Sequence, residues 1–196
     1  MARRTTSTSR PQARSDRFVA LLRGIAPTNP NMRNEKLRGV VEDLGFTNVE
    51  TVISSGNILF DVQGRAARDP AALEERLEAA WQERLGFRST TILRSGAQVA
   101  ALVEADPFAG RPDTPSNRLQ VTFLQHEPPE DLAVPSTPEA AGFSIVAVVD
   151  RAVCSTIDLS GSRTPDLMRW MERTFGQDIT TRTWKTVQRI AGRLGA

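Results

Sequence analysis

The chain has 196 residues, of which 39% are hydrophobic and 24% charged, a composition typical of a globular protein with one core or two small ones. No apolar run approaches the roughly 20 residues of a membrane-spanning helix, so we expect no membrane segment. Residues 1–16 contain four arginines and one aspartate, so the rest of the chain carries −1 of the total charge of +2. We therefore expect a disordered basic tail at 1–16, and a folded part without the basic face of most nucleic-acid-binding domains.

The sequence has one cysteine, Cys154, and one histidine, His126. A single cysteine excludes an intramolecular disulfide, which fits a reducing compartment, and we expect a soluble cytoplasmic protein. Zinc sites built from cysteine and histidine are excluded within one chain, and we expect no metal and no cofactor. Cys154 lies in an apolar strand pattern, so it is expected to be a buried small side chain rather than a nucleophile paired with His126.

The first half of the chain alternates short apolar runs with helical patterns. Strands are predicted at 17–23, 49–53, 58–61 and 90–94, and helices at 31–43, 69–85 and 96–104. Asn31 is expected to cap the first helix, and Asp69 followed by Pro70 begins the second. The segment 54–57 is a hairpin signal. The order through 94 is that of the ferredoxin-like fold, βαββαβ.

The second half repeats this order after an irregular linker. The predicted parts are a first subdomain at 17–105, a linker at 106–117 that is rich in Pro, Gly and Asp, and a second subdomain at 118–196. Strands are predicted at 118–125, 143–149, 152–159 and 179–182, helices at 164–175 and 184–194, and a Pro-rich segment replaces the first helix. Identities at a constant spacing of 90 support a repeat: Gly86/Gly176, Thr90/Thr180, Thr91/Thr181 and Gln98/Gln188. The sequence thus predicts an α+β protein of two tandem ferredoxin-like subdomains, with antiparallel sheets and helices on one face.

The strands at 18–22 and 145–149 are apolar on both alternating faces, so both faces of each sheet should be covered. A single helix layer covers one face. The other needs the second subdomain or a partner chain, and a homodimer is therefore an alternative.

Four segments of the sequence form a further pattern. They are Leu21-Leu22-Arg23-Gly24-Ile25, the helix that ends at Leu44-Gly45-Phe46, Ile53-Ser54-Ser55-Gly56-Asn57 followed by Phe60, and Thr180-Thr181-Arg182-Thr183-Trp184-Lys185-Thr186-Val187. These segments resemble an uncharacterised bacterial family catalogued as domain of unknown function 1697, from about Phe18 to the end of the chain. The resemblance implies a fold near the one above, and no accepted activity, cofactor or catalytic residue. The chain departs from the family at 26–31, where members commonly have a Gly-rich segment.

Topology indicates where a site would lie. In a split βαβ unit, the first two strands are parallel with the third between them, so the exit of the first strand lies beside the hairpin. A guanidinium, hydroxyls and a helix start would converge there as an anion site. The candidate residues are Arg23, Gly24, Asn31, Ser54, Ser55, Gly56 and Asn57. A tight turn explains Gly56 and Asn57 equally well.

Two secondary candidates lie in the second half. Ser160-Gly161-Ser162-Arg163-Thr164 precedes a helix, as a phosphate-binding loop does, although it lacks the lysine and glycine spacing of a P-loop. Arg182, Trp184 and Lys185 form a basic and aromatic cluster that could stack on a base.

The sequence leaves the function unknown. A binding module for a phosphorylated ligand or a nucleic acid at the edge formed by Arg23, Ser55 and Asn57 is the favoured hypothesis. The alternatives are an enzyme of unknown substrate with a site between the subdomains, and a homodimeric interaction protein.

Overall fold

The computed structural model describes residues 15–134, 136, 142–161 and 166–195 of the chain. The first unit comprises β1 (Ser15–Leu22), α1 (Asn34–Asp43), β2 (Thr47–Thr51), β3 (Asn57–Gln63), α2 (Pro70–Leu85), β4 (Thr91–Ser95) and α3 (Gly96–Glu104). The second unit comprises β5 (Asn117–Leu124), β6 (Phe143–Val149), β7 (Ala152–Asp158), α4 (Leu167–Phe175), β8 (Ile179–Thr183) and α5 (Trp184–Leu194). Short 3-10 helices lie at Pro30–Met32 and Gly64–Arg68.

The two units contain equivalent four-stranded sheets. The strand order is β2-β3-β1-β4 in the first and β6-β7-β5-β8 in the second, and every pair of neighbours is antiparallel. The prediction of two tandem ferredoxin-like units is thus confirmed. Among the described residues between β5 and β6, no helix replaces α1.

Helices cover the sheets in three layers. The first sheet packs α1 and α2 against its outer face, and the second sheet packs α4 against its outer face. Each unit adds a helix after its last strand, and these two helices, α3 and α5, lie between the sheets. The layer between the sheets is apolar and includes Val19, Leu59, Val99, Leu102, Val121, Cys154, Val187 and Ile190. The second face of each sheet is therefore covered within one chain, as the doubly apolar strands required.

The start of α1 differs from the prediction. Asn31 does not cap this helix; the extended residue Arg33 precedes it without a side-chain cap. The chain first forms the 3-10 helix, where the side chain of Asn29 accepts from the N–H of Asn31 at 3.0 Å. Pro30 favours that earlier start because its fixed φ suits the first helical position and its missing N–H needs no partner. In the second unit, Asp166 caps α4, and Thr164 lies outside the described residues.

The repeat is real, but its spacing is not a constant 90. Gly86 and Gly176 are equivalent, since each follows the last residue of a helix. The loop to the next strand is two residues shorter in the second unit, so Ser95 and Thr183, which cap α3 and α5, are equivalent at a spacing of 88. The other three identities therefore do not mark equivalent positions.

The hairpin between β2 and β3 approaches the end of β1 closely at Gly56. The N–H of Leu22 donates to the carbonyl of Gly56 at 2.8 Å. A Cβ at Gly56 would lie 2.6 Å from Cγ1 of Ile25 and 2.9 Å from Cβ of Leu22. Glycine is thus required by space as well as by its φ of +70°.

We predict that Gly56→Ala destabilises the protein by about 2–4 kcal/mol, because the steric clash adds to the cost of a positive φ. Gly64→Ala is the matched control, since Gly64 has the same φ of +70° and nothing within 4 Å of its Cβ position. The measurement is the free energy of unfolding in denaturant. Equal losses for the two variants would contradict the close approach.

Candidate functional site

Arg23 and Asn57 lie at the same end of the first sheet, as the topology predicted. Asn57 is paired with Leu21 across the β1–β3 ladder, two residues before Arg23. Their side chains nevertheless serve different purposes. Asn57 faces the interior of the interface between the units, and Arg23 contacts the surface of the second unit.

The side chain of Asn57 is fully engaged. It is 1% exposed, and its amide donates to the carbonyl of Val52 and to Oγ of Ser55, both at 2.9 Å. Its Oδ1 accepts from Nε of Arg182 at 2.6 Å. Ser54 is exposed on the turn. The hairpin residues thus build the turn and join the two units.

Arg182 of β8 reaches across the interface to the first unit. Its Nη2 donates to the carbonyls of Leu22 and Gly56 at 2.8 and 3.3 Å. Its Nη1 donates to Oγ1 of Thr180 and to the carbonyl of Thr181. With Asn57, these acceptors use all five donors of the guanidinium.

Arg94 of β4 makes the reciprocal contact. It precedes the cap of α3 as Arg182 precedes the cap of α5. Its Nη2 donates to the carbonyls of Leu124 and Arg151 at 2.6 and 3.0 Å. These two carbonyls are equivalent to those of Leu22 and Gly56, since Leu124 ends β5 and its N–H donates to Arg151. We call this pair of contacts the reciprocal arginine clamp.

Neither arginine of the clamp forms an ion pair with a carboxylate of the described residues. Burial lowers the pKa of each guanidinium to about 10, with nearby Arg151 contributing at Arg94. Both therefore remain charged at neutral pH. Carbonyl dipoles stabilise the two charges in place of water, which makes the clamp sensitive to its geometry.

We predict that Arg182→Ala lowers the free energy of unfolding by about 2–4 kcal/mol, because it leaves buried acceptors without donors. Arg84→Ala on the surface of α2 is the control; Arg84 pairs with exposed Asp43 at 3.0 Å, and its loss should cost about 0–1 kcal/mol. Chemical denaturation measures both. Similar losses for the two variants would show that the clamp is not stabilising.

Arg23 contacts the turn between α4 and β8. It pairs with Glu172 and donates from Nη1 to the carbonyl of Gln177 at 2.7 Å and from Nη2 to its side chain at 3.0 Å. About a quarter of the Arg23 side chain stays exposed, at 27%.

Arg23 also lines a groove between the units, which we call the rim groove. Its volume is about 650 Å³, within the usual range for small-molecule sites. The lining includes Gly24, Glu78, Gln82, Arg88 and Ser89. Arg88 is exposed and donates from Nε to Gln82 at 3.2 Å; no carboxylate of the described residues pairs with it. Asn31 is not among the lining residues and donates instead to the carbonyl of Leu85 at 3.0 Å.

Glu78 connects the rim groove to the edge of the first sheet. Its carboxylate accepts from the N–H of Thr91 at 2.7 Å, and Glu74 accepts from the N–H of Leu93 at 2.8 Å. These N–H groups point outward from edge strand β4. The two carboxylates bind them and so leave them unavailable to an added strand. Desolvation raises the pKa of Glu78, and the hydrogen bond from Thr91 opposes this only in part.

We predict that Glu78→Gln flattens the pH dependence of stability. The raised pKa means that the folded state binds the proton more tightly, so wild-type stability falls as pH rises from about 4.5 through the folded-state pKa. Glutamine retains an oxygen for Thr91 and does not ionise. Thermal unfolding between pH 4 and 7 should show this, with Glu83→Gln, at an exposed position of the same helix, as the control. Parallel profiles for wild type and Glu78→Gln would contradict it.

The cluster predicted from Arg182, Trp184 and Lys185 separates in the structure. Arg182 belongs to the clamp, and Trp184 is buried against Phe108, with ring centroids 5.2 Å apart. Lys185 is exposed and pairs with Asp113 at 3.3 Å. Stacking on Trp184 is thus blocked by the core. Arg163 and Thr164, the other secondary candidates, lie outside the described residues.

The cysteine and histidine do not form a dyad. Cys154 is buried, and burial raises the pKa of its thiol to about 12. The side chain of His126 is 74% exposed and lies 3.6 Å from Asp178. Among the described residues, no group of three or more His, Cys, Asp or Glu side chains could hold a metal ion. No helix in these segments combines the length and apolar composition needed to cross a membrane.

The sequence analysis did not identify the reciprocal arginine clamp, although the sequence carries one signal of it. Arg94-Ser95 and Arg182-Thr183 each place an arginine near the end of a strand, directly before a hydroxyl side chain that caps a helix. The spacing of 90 concealed this match, because the arginines are 88 residues apart. Arg88 carries no such signal, since it lies in a short loop.

Comparison with known proteins identifies relatives without an assigned activity. The model of the family described as "Protein of unknown function (DUF1697)" matches residues 16–153. The solved structure of conserved bacterial protein SP0830 from Streptococcus pneumoniae is similar, with a TM-score of 0.67 and 21% sequence identity; the match covers 93% of this chain and 100% of that one. At this identity, the likeness bears on the fold alone. No protein with curated annotation matches the sequence.

Proposed function

The chain belongs to the DUF1697 family of proteins of unknown function, and we propose from its geometry that it binds a small phosphorylated ligand in the rim groove. The observation that carries the proposal is the exposed guanidinium of Arg88, without a carboxylate partner among the described residues, in a groove that Arg23 also lines. A guanidinium presents paired N–H donors that match a phosphate group. The single buried cysteine also leads us to infer a cytoplasmic, reducing location.

The proposed site is the rim groove and not the edge formed by Arg23, Ser55 and Asn57. Arg23 remains part of the proposed site, while Ser55 and Asn57 are engaged in the turn and the clamp. Arg23 forms one wall, fixed by Glu172 and Gln177, and Arg88 supplies the donors that contact the ligand. The groove volume of about 650 Å³ supports a small ligand over a nucleic-acid strand.

The alternatives have weaker support. An active site buried between the two sheets would need a cleft there, and the described part of that space is filled by apolar side chains of α3 and α5. A homodimer that covers an apolar sheet face is not required, since each face is covered within the chain. Only two large apolar side chains of the described residues are exposed, Ile53 and Val134.

We predict that inorganic phosphate, used as a probe, binds wild-type protein saturably and binds Arg88→Ala at least about tenfold more weakly, since a charge-assisted hydrogen bond contributes about 1.5–3 kcal/mol. Arg84→Ala, on the same helix as Gln82 but outside the groove, should bind as wild type does. Titration followed by nitrogen-edited NMR locates the response at Arg88 and Ser89. No saturable binding, or equal binding by both variants, would overturn the proposal.

A further inference from the structure

The repeat places equivalent edge strands, β4 and β8, in different chemical surroundings. In an antiparallel pair, alternate residues direct their N–H and C=O groups away from the partner strand. On β4 these residues include Thr91 and Leu93, whose N–H groups donate to Glu78 and Glu74 of α2. The first unit therefore shows what this edge binds: two carboxylates.

The equivalent residues of β8 are Ile179 and Thr181, at the spacing of 88 that the two arginines and the two helix caps define. Glu78 lies eight residues before Gly86, and Met168 lies eight residues before Gly176, so Met168 is equivalent to Glu78. Thr164, at the position of Glu74, lies outside the described residues. No acceptor among the described residues binds the N–H of Ile179 or Thr181. The second unit thus lacks the carboxylate that Glu78 provides.

The carbonyl groups on this edge are already bound. Nη1 of Arg23 donates to the carbonyl of Ile179 at 3.3 Å, and Nη1 of Arg182 donates to that of Thr181 at 2.9 Å. An added β-strand needs both donors and acceptors from the edge that it joins. The outer edge of β8 offers donors alone, which suits a ligand group that only accepts hydrogen bonds.

A second groove follows this edge. It has a volume of about 430 Å³ and is lined by β8, Arg23, Gly24 and Met168. Thr181 is partly exposed, so its N–H is the donor nearer the solvent, while Ile179 is buried. The hydroxyl of Thr181 donates to the sulfur of Met168 at 3.1 Å, which places this flexible side chain over the strand. Arg23 also borders this groove, with its charge paired to that of Glu172.

We propose that the groove along β8 binds the carboxylate of a small organic acid, which binds this edge as the glutamate carboxylates of α2 bind the edge of β4. The carboxylate accepts from the N–H of Thr181, the counterpart of Leu93. The charge of Arg182, which also lines the groove and has no carboxylate partner among the described residues, favours an anion there. This site has its own donors, the backbone of β8, and does not depend on phosphate binding near Arg88.

The test uses succinate as the probe and Met168→Glu as the decisive variant. In wild type, succinate should shift the Thr181 amide signal saturably and slow its hydrogen exchange. Met168→Glu supplies a carboxylate from α4 itself, at the position equivalent to Glu78 and beside Thr181. Succinate should therefore bind at least about tenfold more weakly, and the amides of Ile179 and Thr181 should be protected without ligand. Met168→Leu, which adds no acceptor, should bind as wild type does.

Three outcomes would overturn the proposal. They are a Thr181 amide that does not respond to succinate, a Met168→Glu variant that binds as wild type does, and equal weakening in Met168→Leu. The response of wild type to succinate is independent of how the variants fold. Arg88→Ala should leave succinate binding unchanged, which separates this site from the rim groove.

Discussion

The reciprocal arginine clamp fixes how the two units of this protein meet. Arg182 binds the carbonyls at the end of β1 and at the hairpin beside it, and Arg94 binds the equivalent carbonyls of the second unit. Apolar burial by α3 and α5 stabilises the association of the two sheets, but it hardly specifies their relative orientation, because the hydrophobic effect is non-directional. A planar guanidinium needs its acceptors at set positions, and a desolvated one that loses them has no water to replace them. The apolar layer therefore drives association, and the clamp selects one arrangement.

The clamp also determines which polar groups at the interface are free to bind a ligand. It engages Asn57 and the carbonyl of Gly56, so the hairpin is part of the interface. Arg23, one residue beyond the strand end, lies outside the clamp and borders both grooves. Both proposed sites adjoin Arg23. Glutamates seal the edge of the first sheet, whereas Met168 lies at the equivalent position beside the second.

The sequence predicted the element order, because each strand and helix has its own apolar period and its own turn residues. It also predicted that both sheet faces are covered, from the alternating apolar residues at 18–22 and 145–149. It could not predict the clamp, because local pattern places Arg182 in a strand without showing which carbonyls of a distant unit it meets. Asn57 looked like a surface turn residue for the same reason. The start of α1 was misplaced because Asn29 and Asn31 are both good caps. With Pro30 between them, Asn29 caps a separate 3-10 helix, and α1 begins after Arg33 without a side-chain cap.

Native-state hydrogen exchange tests the clamp most directly, because it measures the opening of each sheet separately. The amides of Leu59 on β3 and Cys154 on β7 report on the central strands of the two sheets. If the clamp makes the two units unfold together, both amides exchange with the same opening free energy and the same denaturant dependence. If one sheet opens at a lower free energy with a shallower dependence, the units are independent, and the clamp does not have the role assigned to it.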